Sequence, residues 1–266
     1  MGLRICFVTP FAWSQPHEVN DHVAGAAAAL RRRGHEVTVL APSTRARDLL
    51  AGRRALQRGL VTDVLAIGPA VPLSRRTHVG VPVGVRANLA LALAHGRFDV
   101  VHGFEPGLPS LSYLALTASE TLTAATFLSA ERLTYPPRRS RRDRLRARVD
   151  ALLATSPAVA RAAAERFPGD VELVPVGVDT ELFRPGRKRE LLVAELDAAT
   201  RPAVRALARL LADFPDWELV LLHAQPLAVR PSVPRRLRAR VHVRFARRAE
   251  QRAALFTGAA VFLPAP

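Results

Sequence analysis

The chain has 266 residues, of which 49% are apolar and 23% charged, so its composition is that of an ordinary globular protein and excludes collagen-like, coiled-coil and wholly disordered chains. The length favours two domains of about 100 to 200 residues each over one large core. The net charge of +16 favours a polyanionic partner, but every basic residue except Lys188 is arginine, and a GC-rich genome produces the same bias.

The N-terminal apolar run, from Leu3 to Val8, is too short for a signal peptide and is followed at once by Pro10. Nowhere does the sequence reach the roughly 18 consecutive apolar residues of a transmembrane helix. We therefore expect a cytoplasmic location, either free or peripheral on the inner face of the membrane. The single cysteine, Cys6, can form no internal disulfide and is expected to fill the core. No histidine spacing suggests a metal site, and we expect no metal.

Short runs rich in Val, Ile and Leu alternate with longer segments rich in Ala, Leu and Arg, which is typical of strands joined by crossover helices. In chain order the first part predicts strand Leu3 to Val8, helix Val19 to Arg33 closed by Gly34, strands Glu36 to Ala41 and Val61 to Ile67, helix Val85 to Ala94, strand Val100 to Gly103, helix Ser110 to Ala118, strand Thr123 to Phe127, helix Arg141 to Asp150, strand Ala151 to Thr155, helix Pro157 to Arg166 and strand Val171 to Val174. Runs that are apolar on both faces indicate a parallel sheet covered by helices on each side.

A charged segment with Pro185 and Gly186 predicts a boundary that divides the chain into domains 1–185 and 186–266. The pattern then restarts with strand Leu191 to Ala194, helix Pro202 to Phe214, strands Glu218 to His223 and Val241 to Phe245, helix Ala249 to Phe256 and strand Ala260 to Leu263. Four strands are fewer than the five or six of a typical open doubly wound sheet. We therefore expect an α/β protein whose second Rossmann-like domain is incomplete, with a sheet edge that a protein partner or a second copy could cover.

Five segments resemble, in the same order, the family 4 glycosyltransferases of the GT-B fold, including the phosphatidylinositol mannosyltransferase-like enzymes. They are VTPF at 8–11, RGHEVTVLAP at 33–42, FDVVHGFEPGLPSLSYLAL at 98–116, ATFLSA at 125–130 and VPVGVDTELFRP at 174–185. The resemblance implies a GT-B-like fold with an acceptor-side first domain and a donor-side second domain. It also implies retaining transfer of a sugar from a nucleotide-sugar donor to a lipid-linked or carbohydrate acceptor, without another cofactor.

The donor site implied by this resemblance is degenerate. His17 and Glu18 stand where the family has a glycine pair whose backbone approaches the donor phosphates, and Leu128 stands where the mannosyltransferases have a histidine. A carboxylate repels a phosphate by about 4 kcal/mol at 4 Å and an effective dielectric of about 20. Glu18 also has a structural explanation, since acidic residues are favoured in the first turn of a helix.

In the second domain, the family has two cations that hold the donor diphosphate. By resemblance Arg201 can still supply one of them, whereas Glu195 places a negative charge at the position of the other. The sequence ends at Pro266, before the Glu-x7-Glu block that the family places next. We therefore expect this chain to lack independent catalysis and assign no catalytic residue.

The resemblance places Trp13, His22 and Glu105 at loop ends on the acceptor side. Each has an alternative interpretation: His22 either contacts the acceptor or packs at the helix start, and Trp13 is either an apolar lid or part of a surface patch. Glu105 directly follows a strand, and its side chain either faces the cleft or does not.

An arginine cluster occupies residues 136–153 and predicts a basic helix with a thin apolar stripe. As a candidate membrane surface it comprises Arg138, Arg139, Arg141, Arg142, Arg144, Arg146 and Arg148. A helix of this kind either docks on anionic lipid or is simply solvated. Nucleic acid is not expected, because aromatic residues make up only 6% and no stacking platform is evident.

The sequence therefore predicts a glycosyltransferase-family protein related to retaining nucleotide-sugar-dependent enzymes. The alternatives are a catalytically inactive homologue that acts as an interaction or membrane-docking partner, and a truncated gene product.

Overall fold

The computed structural model describes residues 2–72, 78–80, 84–196, 201–223, 233–246 and 249–264. The chain divides into two compact units, Met1–Gly177 (unit 1) and Val178–Pro266 (unit 2). This division precedes the segment with Pro185 and Gly186 that predicted the boundary, because residues 178–188 associate with the second unit rather than the first.

The described residues of unit 1 form an α/β unit built on one eight-stranded sheet. Its elements are β1 (Arg4–Val8), α1 (Glu18–Arg32), β2 (Glu36–Ser43), α2 (Ala46–Gln57), β3 (Val64–Pro72), β4 (His78–Gly80), α3 (Arg86–Gly96), β5 (Val100–Phe104), α4 (Leu111–Ala118), β6 (Leu122–Phe127), α5 (Arg139–Arg146), β7 (Ala151–Ala154), α6 (Pro157–Arg166) and β8 (Val171–Leu173), with a 3-10 turn at Ala130–Arg132. The strand order is β4-β3-β2-β1-β5-β6-β7-β8, and every neighbouring pair is parallel except β3 with β4.

The central strand β1 is buried on both faces, as its uninterrupted apolar run predicted. Cys6 and Val8 belong to one hydrophobic cluster, and Ile5 and Phe7 belong to the cluster on the opposite face. Burial raises the pKa of the Cys6 thiol, so this cysteine is an inert core residue as expected.

Helix α1 spans Glu18–Arg32, one residue earlier at each end than the predicted Val19 to Arg33. Gly34 follows its last turn with φ of 88° and donates its backbone N–H to the carbonyl of Arg31 at 2.9 Å. This left-handed conformation favours glycine and allows the chain to reverse into β2.

Unit 2 is a second α/β unit with a four-stranded parallel sheet in the order β11-β10-β9-β12. Its described elements are β9 (Arg189–Glu195), α7 (Arg201–Leu210), β10 (Glu218–His223), a 3-10 turn at Arg235–Leu237, β11 (Val241–Phe245), α8 (Ala249–Gly258) and β12 (Ala259–Leu263). The four predicted strands of this part are confirmed, and β11 and β12 are the edges of their sheet.

Some element predictions were wrong. The sequence pattern did not predict α2 or β4, and β3 begins at Val64 instead of Val61. The basic helix is α5. It spans Arg139–Arg146 instead of the predicted Arg141 to Asp150, so Arg138 precedes it and Arg148 follows it. Leu145 and Val149 both pack in the core, Leu145 within the helix and Val149 beyond its end, and the four residues 147–150 connect the helix to β7.

Candidate functional site

The carboxyl ends of β1 and β5 lie side by side in unit 1, with Val8 opposite Gly103. The sheet extends from this pair in opposite directions, through β2 on one side and β6 on the other. Such a switch point leaves a crevice outside the strand ends, which is the usual ligand position in open α/β sheets. Residues 9–17 follow β1 here, and residues 105–110 follow β5.

The N-terminus of α1 is closed by the chain's own side chains. His17 Nδ1 accepts a hydrogen bond from the Val19 backbone N–H at 3.2 Å, and its ring stacks on Phe11 with 3.5 Å between ring centroids. Burial lowers the pKa of His17 to about 4, so the ring is neutral at pH 7 and can accept this bond. Glu18 lies in the first turn and forms an ion pair with Arg132.

Glu105 follows β5 and is fully buried. Its backbone φ of 49° is in the left-handed region, which residues with a β-carbon seldom adopt. Carboxylate Oε1 accepts hydrogen bonds from the Leu128 backbone N–H at 3.0 Å and from Arg132 Nη1 at 3.3 Å. Burial raises the pKa of Glu105 to about 7, even though the positive charge of Arg132 and these hydrogen bonds favour the ionised form.

Arg132 is the functional candidate that sequence reasoning missed. It lies in the 3-10 turn after β6 and bridges two carboxylates, those of Glu18 and Glu105. Its guanidinium carbon also lies 5.1 Å from the centroid of the Phe11 ring, within the range of a cation–π contact. The sequence feature that could have identified Arg132 is its position shortly after β6. Since β6 is parallel to the neighbouring β5, residues that follow the two strands lie at the same end of the sheet.

The three acceptor-side candidates all lie near this edge, in different environments. Trp13 lies in the loop after β1, half-buried against the hydrophobic cluster that contains Phe11 and Phe104. His22 is on α1, also half-buried, and its ring meets Phe104 edge-on with 5.7 Å between centroids. Burial lowers the pKa of His22. The structure thus supplies a packing contact for His22 and an ionic contact for Glu105.

A third histidine, His102 of β5, adds to this aromatic group from within the sheet. Its ring stacks on Phe104 with 4.4 Å between centroids, and Nε2 lies 2.7 Å from Thr126 Oγ1. Burial lowers the pKa of His102 to about 3, which keeps the ring neutral at pH 7. Sequence reasoning did not identify His102, because a lone histidine in an apolar strand has no recognisable spacing.

The donor-side candidate Arg201 is the first residue of α7, and its side chain lies outside the described part of the structure. Leu128 is half-buried against the cluster that contains Phe11 and contributes its backbone N–H to Glu105.

The candidate membrane surface divides into two kinds of arginine. Three support the fold, because Arg142 donates to the carbonyls of Pro136 and Pro137, Arg146 to those of Val149 and Pro168, and Arg148 to that of Ser119. The other four, Arg138, Arg139, Arg141 and Arg144, are exposed, as is Arg148 of the first group.

Across the described ranges, no three His, Cys, Asp or Glu side chains are grouped so that they could hold a metal ion. Among the helices described, none is both long and apolar enough to cross a bilayer.

Comparison with known proteins gives one family. Residues 19–182 match the family model described as Glycosyltransferase Family 4. A phosphatidyl-myo-inositol mannosyltransferase of Mycolicibacterium smegmatis is 30% identical over 237 residues, covering 83% of this chain and 58% of that protein. One of the same name from Propionibacterium freudenreichii is 32% identical over 160 residues, covering 58% of this chain and 41% of its own length. The chain thus spans about half the length of these relatives.

Solved structures show the same fold at low sequence identity. A UDP-N-acetylglucosamine 2-epimerase superimposes with a TM-score of 0.57 at 12% identity, covering 99% of this chain and 73% of that one. The catalytic domain of starch synthase IV from Arabidopsis thaliana gives 0.55 at 11% identity, covering 98% and 78%. These matches confirm the predicted GT-B-like α/β fold.

Proposed function

Because the chain belongs to Glycosyltransferase Family 4, we propose that it derives from retaining, nucleotide-sugar-dependent transferases that act on lipid-linked or carbohydrate acceptors, and that it does not transfer a sugar by itself. The names of its relatives, phosphatidyl-myo-inositol mannosyltransferases, support an acceptor of this class.

The proposed loss of sugar transfer rests on one observation, which is that the N-terminus of α1 is closed by the chain's own side chains. A diphosphate is held by free backbone N–H groups at a helix N-terminus and by cations that have no other anionic partner. Here the Val19 N–H is bonded to His17, and Glu18 adds negative charge at the same turn. Arg132, the nearby cation, is already shared between Glu18 and Glu105.

We expect calorimetry of the purified chain to show no binding of UDP, GDP or their sugars at millimolar concentration. We likewise expect no radiolabelled hexose to reach a lipid or carbohydrate acceptor. The relative from Mycolicibacterium smegmatis, assayed in parallel, is the positive control for donor and acceptor quality. Micromolar donor binding that disappears in Arg201→Ala, or transfer by this chain alone, would contradict the proposal.

Docking on an anionic membrane is a second candidate function, and the observation favouring it is the exposure of four arginines around α5. Each basic side chain near an anionic bilayer contributes about 1 kcal/mol of binding free energy. The proposed location is therefore the inner membrane surface, reached by a peripheral contact.

We expect the chain to sediment with phosphatidylglycerol-containing vesicles and to remain in solution with phosphatidylcholine vesicles. Replacing Arg138, Arg139, Arg141 and Arg144 with glutamine, and leaving Arg148 because it also donates to the Ser119 carbonyl, should weaken binding at least about tenfold. The matched control removes the same charge from exposed positions elsewhere, namely Arg32, Arg33, Arg53 and Arg54. Equal losses in both variants would show a net-charge effect and no docking surface at α5.

We also propose that a protein partner binds the edge strand β12 of unit 2. Val261 and Phe262 on this strand are 48% and 40% exposed, which supports an apolar contact there.

A further inference from the structure

The two tyrosines of the chain lie together in unit 1. Tyr113 is on α4 and Tyr135 follows the 3-10 turn after β6, and their rings meet edge-on with 4.8 Å between centroids. Both side chains are half-buried. A tyrosine combines an apolar ring with a polar hydroxyl group, so it is enriched at boundaries between apolar material and water, including the headgroup level of membranes.

Helix α5 places two arginines beside this tyrosine pair. Leu145 of α5 is buried in the hydrophobic cluster against which Tyr113 also packs. Arg141 lies four positions before Leu145 and three before Arg144, and side chains at these spacings are neighbours on a helix surface. Burial and the neighbouring Tyr135 raise the pKa of the Tyr113 hydroxyl, and the positive charges of Arg141 and Arg144 oppose that rise. Both guanidinium groups therefore lie within electrostatic range of the hydroxyl group.

The position of Tyr135 is fixed by backbone contacts on both sides. Its own N–H donates to the carbonyl of Gly107 at 2.7 Å. Arg166 donates to the carbonyls of the residues before and after it, Thr134 and Pro136, at 2.9 Å each. Donor groups that are held in place before a ligand arrives lose less conformational entropy when it binds.

The charges at this surface favour an anion. Arg141 and Arg144 are exposed and form no ion pair among the described residues. The one acidic residue of α5, Asp143, lies 4.0 Å from Arg139 instead. Guanidinium and hydroxyl groups all donate hydrogen bonds. A phosphate group has enough oxygen atoms to accept from two of each, and its pairing with arginine is strong.

The surroundings favour a phospholipid as the source of the phosphate. Arg138 and Arg139 extend the exposed basic surface beyond the tyrosine pair, so a bilayer can place further headgroups against the same segment. A soluble phosphate gains none of these additional contacts. Nucleic acid carries the same phosphate chemistry, but single strands bind by stacking bases on open aromatic faces. The two tyrosine rings are half-buried and pack on each other.

We propose that the two tyrosine hydroxyl groups, together with Arg141 and Arg144, form a binding site for the phosphate group of an anionic phospholipid. The arginines pair with the phosphate, and the hydroxyl groups donate hydrogen bonds to its oxygens. The site rests on the proposed docking of α5 on anionic membranes. It adds to that docking a defined set of donors, so that charge alone does not determine the binding.

Selective labelling gives a direct readout, because both tyrosines of the chain belong to the site. In the whole chain labelled with carbon-13 tyrosine, monomeric dihexanoyl phosphatidylglycerol should shift both ring signals at millimolar concentration. Dihexanoyl phosphatidylcholine should shift them at least about fivefold less, because the arginines repel its choline group. Duplex DNA should leave both signals unchanged.

Sedimentation with phosphatidylglycerol vesicles compares two pairs of substitutions that remove the same charge from the same segment. Arg141→Gln with Arg144→Gln should weaken vesicle binding at least about fivefold more than Arg138→Gln with Arg139→Gln does, because only the first pair contacts the bound phosphate. An effect of net charge alone would make the two losses equal.

Tyr113→Phe with Tyr135→Phe keeps both rings and the net charge and removes only the hydroxyl groups. This double variant should fold as the parent chain, by circular dichroism, and bind the same vesicles at least about fivefold more weakly. Millimolar inorganic phosphate should release the parent chain from vesicles no more than chloride does at equal ionic strength.

Unshifted tyrosine signals, equal losses in the two arginine pairs, or undiminished vesicle binding by the tyrosine double variant would overturn the site. Release by millimolar phosphate, or tyrosine shifts with duplex DNA, would overturn its assignment to a lipid. The proposed docking survives any of these results if replacing all four exposed arginines still weakens vesicle binding. A parent chain that does not sediment with phosphatidylglycerol vesicles contradicts the docking itself, whereas tyrosine shifts with the monomeric lipid would still support the site.

Discussion

Arg132→Met is expected to lower the free energy of unfolding of unit 1 by about 1 kcal/mol more at pH 8 than at pH 5.5, because pH 8 lies one unit above the parent pKa of about 7 and one unit corresponds to about 1.4 kcal/mol at most. Removing the cation leaves Glu105 as a buried carboxylate with no opposite charge on it. Because burial already raises the pKa of Glu105 to about 7, well above the value of the unfolded chain, the neutral carboxyl stabilises the fold at low pH. That stabilisation is lost as the pH rises through the folded-state pKa, which the substitution raises further.

Urea unfolding at the two pH values measures this difference. The chain has one tryptophan in each unit, Trp13 and Trp217, so a Trp217→Phe background reports on unit 1 alone. The double variant Arg132→Met with Glu105→Gln should recover most of the stability at pH 8, because it no longer buries an unpaired charge. Equal destabilisation at both pH values would instead assign the effect to lost packing on Phe11.

In unit 2, Arg240→Ala is expected to lower the free energy of unfolding by about 3 kcal/mol. Its guanidinium donates to the carbonyl of Leu211 at 2.7 Å and to those of Phe214, Pro215 and Trp217 at 2.7, 3.0 and 3.3 Å. These carbonyls follow the end of α7, where helix geometry leaves acceptors without intrahelical partners. One planar side chain therefore holds the whole turn between α7 and β10.

The measurement is urea unfolding followed by Trp217 fluorescence in a Trp13→Phe background. Arg240→Lys should recover less than half of the loss, because an ammonium group cannot reproduce the planar fork of donors. The matched control is Arg238→Ala, which removes an exposed arginine with one long bond of 3.4 Å and should change stability by less than about 0.5 kcal/mol. A similar loss in both variants would show that the carbonyl contacts are not the cause.

Much of the architecture could be predicted because the buried parallel strands have a strong local signal. The strand at Glu218–His223 and the helix closed by Gly34 follow directly from apolar runs and a helix-ending glycine. Helix α2 was missed because its segment combines several arginines with Gly52, so its apolar side is narrow. Strand β3 was predicted to end at Ile67, but it continues to Pro72 through Gly68 and Pro69, residues that ordinarily indicate a turn and are tolerated here near the edge of the sheet.

The candidate site was predicted less completely, for a reason of geometry. Trp13 and Glu105 could be found because each closely follows a predicted strand. Arg132 could not be connected to them from local sequence, because it is separated from Glu18 by 114 positions and from Glu105 by 27. Their meeting depends on β6 lying next to β5, which is a property of the sheet order.

The central place of β1 has a consequence for how the chain is made. One side of β1 pairs with β2, which ends at Ser43. The other side cannot pair until β5, which begins at Val100, has been synthesised. At a synthesis rate of about 5 to 20 residues per second, the intervening residues take about 3 to 11 seconds to emerge. During that interval the nascent polypeptide exposes an unpaired, strongly apolar strand, which is the kind of surface that makes folding intermediates prone to aggregate and that chaperones protect.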